Sequence, residues 1–171
     1  MKDSFSIEGT VTRLGDSISG DTILPSRHSF LPGPEMAEQV LSELGAEVNR
    51  RVRQRPILCA GPAFGYGTGR ESPARALAAA GVKALIGGPF ARMFYRNAIN
   101  NGILVVEAPD VYADVEEGSY LRILLADGRI EGLARNWRFA PIPDFVLDVL
   151  RAGGLIGYAR QRPELLRQGG S

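Results

Sequence analysis

Between residues 55 and 109 the chain alternates three short apolar runs with two helical patterns, and few folds accommodate that order. RPILCAG (55–61), VKALIGG (82–88) and ILVVEAP (103–109) are each four or five apolar residues bounded by Gly or Pro, the signature of buried strands. SPARALAAAG (72–81) and PFARMFYRNAINNG (89–102) lie between them. The first reads as a helix with Ser72 as its N-cap and Pro73 at its first position, ending at Gly81. The second reads as a helix with Pro89 at its start and Gly102 at its end, and with Phe90, Phe94 and Tyr95 on the core side. Strand–helix–strand alternation of this kind predicts parallel strands joined by helical crossovers.

Around that segment the pattern changes. FSIEGTVTRL (5–14) reads as a strand, and GDSISGDTILPSR (15–27) as a turn-rich loop closing in a short apolar strand. EMAEQVLSELG (35–45) is an amphipathic helix with glycine at its C-terminus. SYLRILLADGRIEGL (119–133) is a hairpin turning at Asp127-Gly128. FVLDVLRAGGLIGYARQRPELL (145–166) is helical with a break at Gly153-Gly154, and residues 164–171 are expected to fray. The expectation is an α/β fold with a mixed sheet and flanking helices, one domain over residues 1–171.

Composition excludes several classes of function. Twenty Lys and Arg against nineteen Asp and Glu leave no basic footprint for nucleic acid. The apolar runs fall short of the roughly 18 residues of a membrane span, and MKDSFSIEG has no apolar core for a signal peptide, so the expected compartment is the cytoplasm. Cys59 is the only cysteine and His28 the only histidine, which rules out an internal disulfide and any multi-thiolate metal site built from this chain alone.

The chemistry concentrates in FGYGTGRESPARAL (64–77), where glycines recur at every second position between a strand and a helix. Backbone N–H groups and the positive end of a helix converge there on an anion. A P-loop would require Gly-Lys-Ser/Thr, and a dinucleotide fingerprint a third glycine where Arg70 stands. A small carboxylate, gripped by the planar guanidinium of Arg70 beside the Thr68 hydroxyl, fits better. The other reading is a tight strand-to-helix turn with Arg70 and Glu71 paired or solvated; the loop alone leaves both open.

Three further segments narrow the choice. FARMFYRNAINNGILVV (90–106), FAPIPDFVLDVLRAGGLIGYAR (139–160) and the loop GDSISGDTILPSR resemble, in order and spacing, the corresponding segments of 3-isopropylmalate dehydratase small subunits, members of the aconitase superfamily. The resemblance implies the swivelling β/β/α domain of aconitases, made as a separate chain. It implies a large aconitase-like subunit as partner, in a heterodimer or heterotetramer, with a 4Fe-4S cluster on that partner and no metal held here. It implies a hydro-lyase that interconverts 2-isopropylmalate and 3-isopropylmalate in leucine biosynthesis.

Residue by residue, the family's loop of Gly, Cys, Gly, Ser, Ser, Arg, Glu, His is met by Gly65, Tyr66, Gly67, Thr68, Gly69, Arg70, Glu71, Ser72. The resemblance thus implies Thr68 as the base, Arg70 as the carboxylate clamp, and backbone N–H groups of Gly67 and Gly69 at the substrate. Asp21 aligns with an active-site aspartate of the N-terminal loop. Arg27, His28 and Ser29 fall where relatives read the substrate's side chain, without the aromatic–leucine pair usual after the arginine. Gly69 in place of serine removes a hydroxyl. A hydratase subunit for another dicarboxylate or tricarboxylate (homoaconitate, citraconate or dimethylmalate type) and a non-catalytic anion-binding paralogue therefore stand as alternatives. His28 completes no metal set, and Arg92 and Arg96, one turn apart, are expected in solvent.

Overall fold

The computed structural model describes residues 5–164, so the frayed tail expected at 164–171 lies, but for the exposed Glu164, outside the described residues. Seven strands form one mixed sheet. β1 (Ser6–Arg13), β2 (Ile57–Ala60), β3 (Ala84–Gly87) and β4 (Leu104–Glu107) run parallel; β5 (Tyr120–Leu124), β6 (Arg129–Gly132) and β7 (Asn136–Arg138) add antiparallel strands on the other side of β1, giving the order β4-β3-β2-β1-β5-β6-β7.

The two halves differ in burial, as their residue patterns require. In β2, Ile57 and Cys59 face one core and Leu58 and Ala60 the other, so every residue is buried. Such strands read as continuous apolar runs because both faces are covered. In β5 only Leu121 and Ile123 turn inward, while Tyr120 and Arg122 face out, the alternation of a sheet covered on one side.

The parallel strands advance across the sheet in one direction, so right-handed connections place their helices on a common face. Val52 of α3 (Ala46–Gln54), Ala74 and Leu77 of α4 (Ser72–Ala79), and Phe94 and Ala98 of α5 (Arg92–Asn100) pack there with Leu58, Leu85 and Val105, together with Met36 and Ala37 of α2 (Gly33–Gln39). Val111 of α6 (Pro109–Asp114) and Leu147 and Leu150 of α7 (Asp144–Arg151) cover the opposite face. α8 (Leu155–Gln161) follows the expected break, with Gly153 and Gly154 both at positive φ.

Several expectations need correction. Residues 20–23 are not a strand but a single helical turn, α1 (Gly20–Ile23), because the Ser19 hydroxyl accepts the Thr22 N–H at 3.0 Å and caps it. The helix expected over 35–45 stops at Gln39; Val40 is extended and Leu41 takes a left-handed φ of 52°. Ser72 is not the N-cap of α4. Glu71 occupies that place, Ser72 and Pro73 lie in the first turn, and the Ser72 hydroxyl is engaged elsewhere. α5 starts at Arg92, three residues after Pro89. The elements α3, α6 and β7 have no counterpart in the sequence reading.

Candidate active site

The loops that leave the C-terminal ends of β1 and β2 lie side by side, where ligands of parallel sheets commonly bind. Backbone bonds stitch them together: Gly65 N–H donates to the Ile18 carbonyl at 2.7 Å and Gly20 N–H to the Tyr66 carbonyl at 2.8 Å. The N-terminal loop, carrying Asp21 and Ser29, is thereby laid along the glycine loop.

The three alternating glycines serve three different purposes. At Gly65 a Cβ would sit 2.3 Å from Cγ of Phe94, and φ is +83°, so both space and backbone demand glycine. Gly67 has open space but a φ of +85°. Gly69 has neither constraint, its nearest neighbour for a Cβ being the Met93 methyl at 4.0 Å. Two of the glycines build the turn, and the third leaves room in front of it.

Arg70 is the centre of the arrangement. Its Nε donates to the Thr68 hydroxyl oxygen at 3.1 Å, its Nη1 to the Ser29 hydroxyl at 2.6 Å, and its Nη2 to the Asp21 carboxylate. Each guanidinium nitrogen therefore has one fixed partner, which sets the plane and direction of the fork while N–H groups on both terminal nitrogens stay available. The Arg70 side chain is 31% exposed and that of Asp21 69%, so the pair opens to solvent at the carboxylate side. Thr68 Oγ1 also accepts the Arg70 backbone N–H at 3.1 Å. A hydroxyl oxygen that faces two N–H donors, one of them cationic, is the type of oxygen on which negative charge costs least.

Asp21, Ser29, Thr68 and Arg70 are thus brought together. Arg27 is not among them: it is exposed and reaches Glu43 at 3.5 Å. His28 is half-buried in the turn Ser26–His28, and its backbone N–H closes that turn on Pro25. Arg92 and Arg96 are exposed, as their spacing predicts, while Phe90 and Phe94 are buried with Phe64 in edge-to-face contact. Exposed Tyr66, Met93 and Phe30 stand in or beside these same segments.

Side chains to which the sequence assigned no such role hold this loop in place. Asn97 Nδ2 donates to the Arg70 carbonyl at 3.2 Å, and Asn101, four residues on at the C-terminal cap of α5, donates to Glu71 Oε1 at 3.0 Å. Arg75 donates to the Ser29 carbonyl at 2.8 Å, and the Ser72 hydroxyl lies 3.0 Å from that of Ser29. The Asn97/Asn101 spacing was a readable sign of one polar helix face; the contacts of Ser72 and Arg75 bridge to a loop more than 40 residues away.

Cys59 lies within β2, its thiol pushed up to about 12 by burial. Among the described residues no group of three or more His, Cys, Asp or Glu side chains could hold a metal ion. The residues of this chain do not fit an iron–sulfur cluster, which requires several thiolates.

Comparison with known proteins places this geometry. The aconitase C-terminal domain family matches residues 35–111. The 3-isopropylmalate dehydratase small subunit of Saccharolobus islandicus is 38% identical over 156 residues, 91% of this chain and 94% of the relative. Small subunit 1 of the Thermotoga maritima enzyme is 38% identical over 159 residues, 91% and 95% of the two chains. The crystal structure of 3-isopropylmalate dehydratase from Methanocaldococcus jannaschii superposes with a TM-score of 0.83 at 27% identity, covering 97% of this chain and all of that one. With fold and length matching, the chain belongs to the family of 3-isopropylmalate dehydratase small subunits and has the aconitase-type C-terminal fold.

Proposed function

We propose that this chain is the substrate-gripping subunit of a hydro-lyase that interconverts 2-isopropylmalate and 3-isopropylmalate, acting in the cytoplasm as a single domain docked on a larger aconitase-like subunit. The observation that carries this reading is the guanidinium of Arg70, held on three sides by Thr68, Ser29 and Asp21 at the mouth of a glycine loop. No helix among the described residues is long and apolar enough to cross a membrane.

In this reading the Arg70 fork binds a substrate carboxylate, with the Gly67 and Gly69 backbone N–H groups beside it. Thr68 Oγ1, first deprotonated to its alkoxide, takes the proton from the carbon next to a carboxylate and becomes a hydroxyl again, while the hydroxyl of the neighbouring carbon leaves as water with a proton from solvent; rehydration in the opposite sense returns both protons and moves the hydroxyl. The negative charge of that alkoxide is met by the two Arg70 N–H groups already directed at Oγ1. The iron–sulfur cluster expected on the partner supplies Lewis-acid chemistry, and no residue here holds it. Asp21 fixes Arg70; Arg27 and His28 border the segment that faces the substrate's side chain.

The test is reconstitution. The purified chain alone should be inactive, and turnover of 2-isopropylmalate should appear on mixing with a cluster-loaded large subunit. Thr68→Ala in the assembled enzyme should lower kcat by about 10²–10⁴-fold, the usual contribution of a positioned base. Full activity of Thr68→Ala would remove Thr68 from its role. Turnover of citraconate, citrate or homocitrate in preference to 2-isopropylmalate would move the assignment to another dicarboxylate or tricarboxylate.

A further inference from the structure

The first turn of α4 grips the N-terminal loop at one residue. Ser29 is held by its hydroxyl and by its carbonyl: Ser72 Oγ lies 3.0 Å from Ser29 Oγ, and Arg75 Nη2 donates to the Ser29 carbonyl at 2.8 Å. Ser72 and Arg75 are three apart, so both project from the same side of the helix. Ser29 Oγ is in turn the acceptor for Arg70 Nη1 at 2.6 Å. Ser72 is buried, with 6% of its surface exposed, although its residue type is ordinarily found outside. Its only side-chain hydrogen bond among the described residues is to Ser29, and it does not cap its own helix.

We infer that Ser72 and Arg75 are positioning residues for the anion clamp: they set the place and the hydrogen-bond direction of Ser29, and through it the orientation of the Arg70 guanidinium. The chemistry requires such a device. Ser29 belongs to a loop joined to Arg70 by no covalent path shorter than 41 residues, and a hydroxyl can rotate its proton toward or away from an incoming donor. A second hydroxyl at 3.0 Å takes the Ser29 proton or donates to its oxygen, leaving a lone pair aimed at Nη1, and Arg75 holds the backbone from which that hydroxyl hangs. With Nη1 fixed, the remaining N–H groups of Arg70 present one geometry to a carboxylate, so less ordering is required when substrate binds.

This inference rests on the proposed role of Arg70 in binding a carboxylate, and the experiment separates the two. In the reconstituted two-subunit enzyme with 2-isopropylmalate, Ser72→Ala and Arg75→Ala should each raise KM by about three- to tenfold, the effect of one relayed hydrogen bond, with kcat within about twofold. Ser72→Thr, which keeps the hydroxyl, should restore KM. On a Ser29→Ala background Ser72→Ala should add nothing, because its action passes through the Ser29 hydroxyl. A readout independent of turnover is the Arg70 Nε–H resonance of the full chain, assigned by its loss in Arg70→Lys. Its heteronuclear NOE should fall in Ser72→Ala and return in Ser72→Thr. An unchanged NOE, an unchanged KM, or an effect of Ser72→Ala that persists in full without the Ser29 hydroxyl would overturn the inference. An ordered Arg70 resonance that responds to Ser72, together with no turnover of 2-isopropylmalate by the reconstituted two-subunit enzyme, would support the positioning role and count against the proposed substrate.

Discussion

Gly20→Ala tests how tightly the two site loops are pressed together. A Cβ at residue 20 would fall 2.1 Å from Cγ2 of Thr68. Carbon atoms rest at about 3.5–4.0 Å, so the methyl groups overlap by more than 1 Å and something must move. Thr68 is β-branched and stiff about χ1, and rotating its methyl away also swings Oγ1 off the Arg70 backbone N–H and Nε. Overpacking of this kind costs about 1–3 kcal/mol. Alanine for glycine within a helix returns at most about 1 kcal/mol, so the net effect is a loss of about 1–2 kcal/mol. In urea, with a slope of about 2 kcal/mol/M, the midpoint should drop by about 0.5–1 M. The decisive arm is Thr68→Ser, which removes Cγ2 and keeps the hydroxyl. The next atoms from a Cβ at residue 20 are then the side-chain Cβ of residue 68 at 3.5 Å and the Tyr66 carbonyl at 3.6 Å, ordinary contacts. Gly20→Ala should therefore be neutral or slightly stabilising in the Thr68→Ser chain, a coupling of about 1–2 kcal/mol in a double-mutant cycle. Equal destabilisation on both backgrounds would refute the packing of residue 20 against residue 68.

Other outcomes follow from single positions. Thr12, 1% exposed in β1, has a hydroxyl without a hydrogen-bond partner among the described residues, so Thr12→Val should raise unfolding stability by about 1 kcal/mol; a lower urea midpoint would contradict it. Gly69 is free of left-handed backbone and of steric neighbours. Gly69→Ser should shift stability by no more than about 0.5 kcal/mol while lowering KM for the dicarboxylate by about three- to tenfold if the added hydroxyl meets it. An unchanged KM would show that no substrate oxygen lies in front of residue 69. Burial raises the Cys59 thiol from 9.0 to about 12, against a smaller lowering by Arg13. The folded state keeps the proton that the unfolded state releases, so this contribution to stability is full below pH 9.0 and is lost as pH rises toward about 12. Urea midpoints over that range should fall less steeply in Cys59→Ala, and iodoacetamide should label Cys59 only on unfolding; labelling of the folded chain would contradict its burial.

What the sequence disclosed of the fold tracks how each element is covered. β2, β3 and β4 are apolar on both faces and end in Gly or Pro, so their pattern was complete in local sequence. The hairpin was legible through Asp127-Gly128, although its turn spans four residues, 125–128, between the paired Leu124 and Arg129, with Gly128 closing it at a φ of +59°. α3 was not, for a physical reason. Of its inward residues one is Asn49, whose Nδ2 donates to the Val40 carbonyl at 2.6 Å and to the Glu38 carbonyl at 3.2 Å, which leaves only Val48 and Val52 as an apolar signal. The same side chain serves carbonyls released where α2 stops early, so the missed helix and the over-long one are a single local fact. β7 has three residues with Trp137 alone turned inward, too short to show a period.

The site divides in the same way. Gly65, Gly67 and Arg70 announce a candidate anion site within six residues, but the partners of Arg70 are 2, 41 and 49 positions away. Local spacing could have found Thr68, and it did; Asp21 and Ser29 became candidates through family resemblance, because a contact made by loops on neighbouring parallel strands leaves no periodic trace. The same reasoning separates the three glycines. A run of alternating glycines reads as one flexible cradle, yet only Gly65 and Gly67 are compelled by backbone or packing. On the proposed reading, Gly69 is therefore a position at which the clamp can change without unfolding the turn.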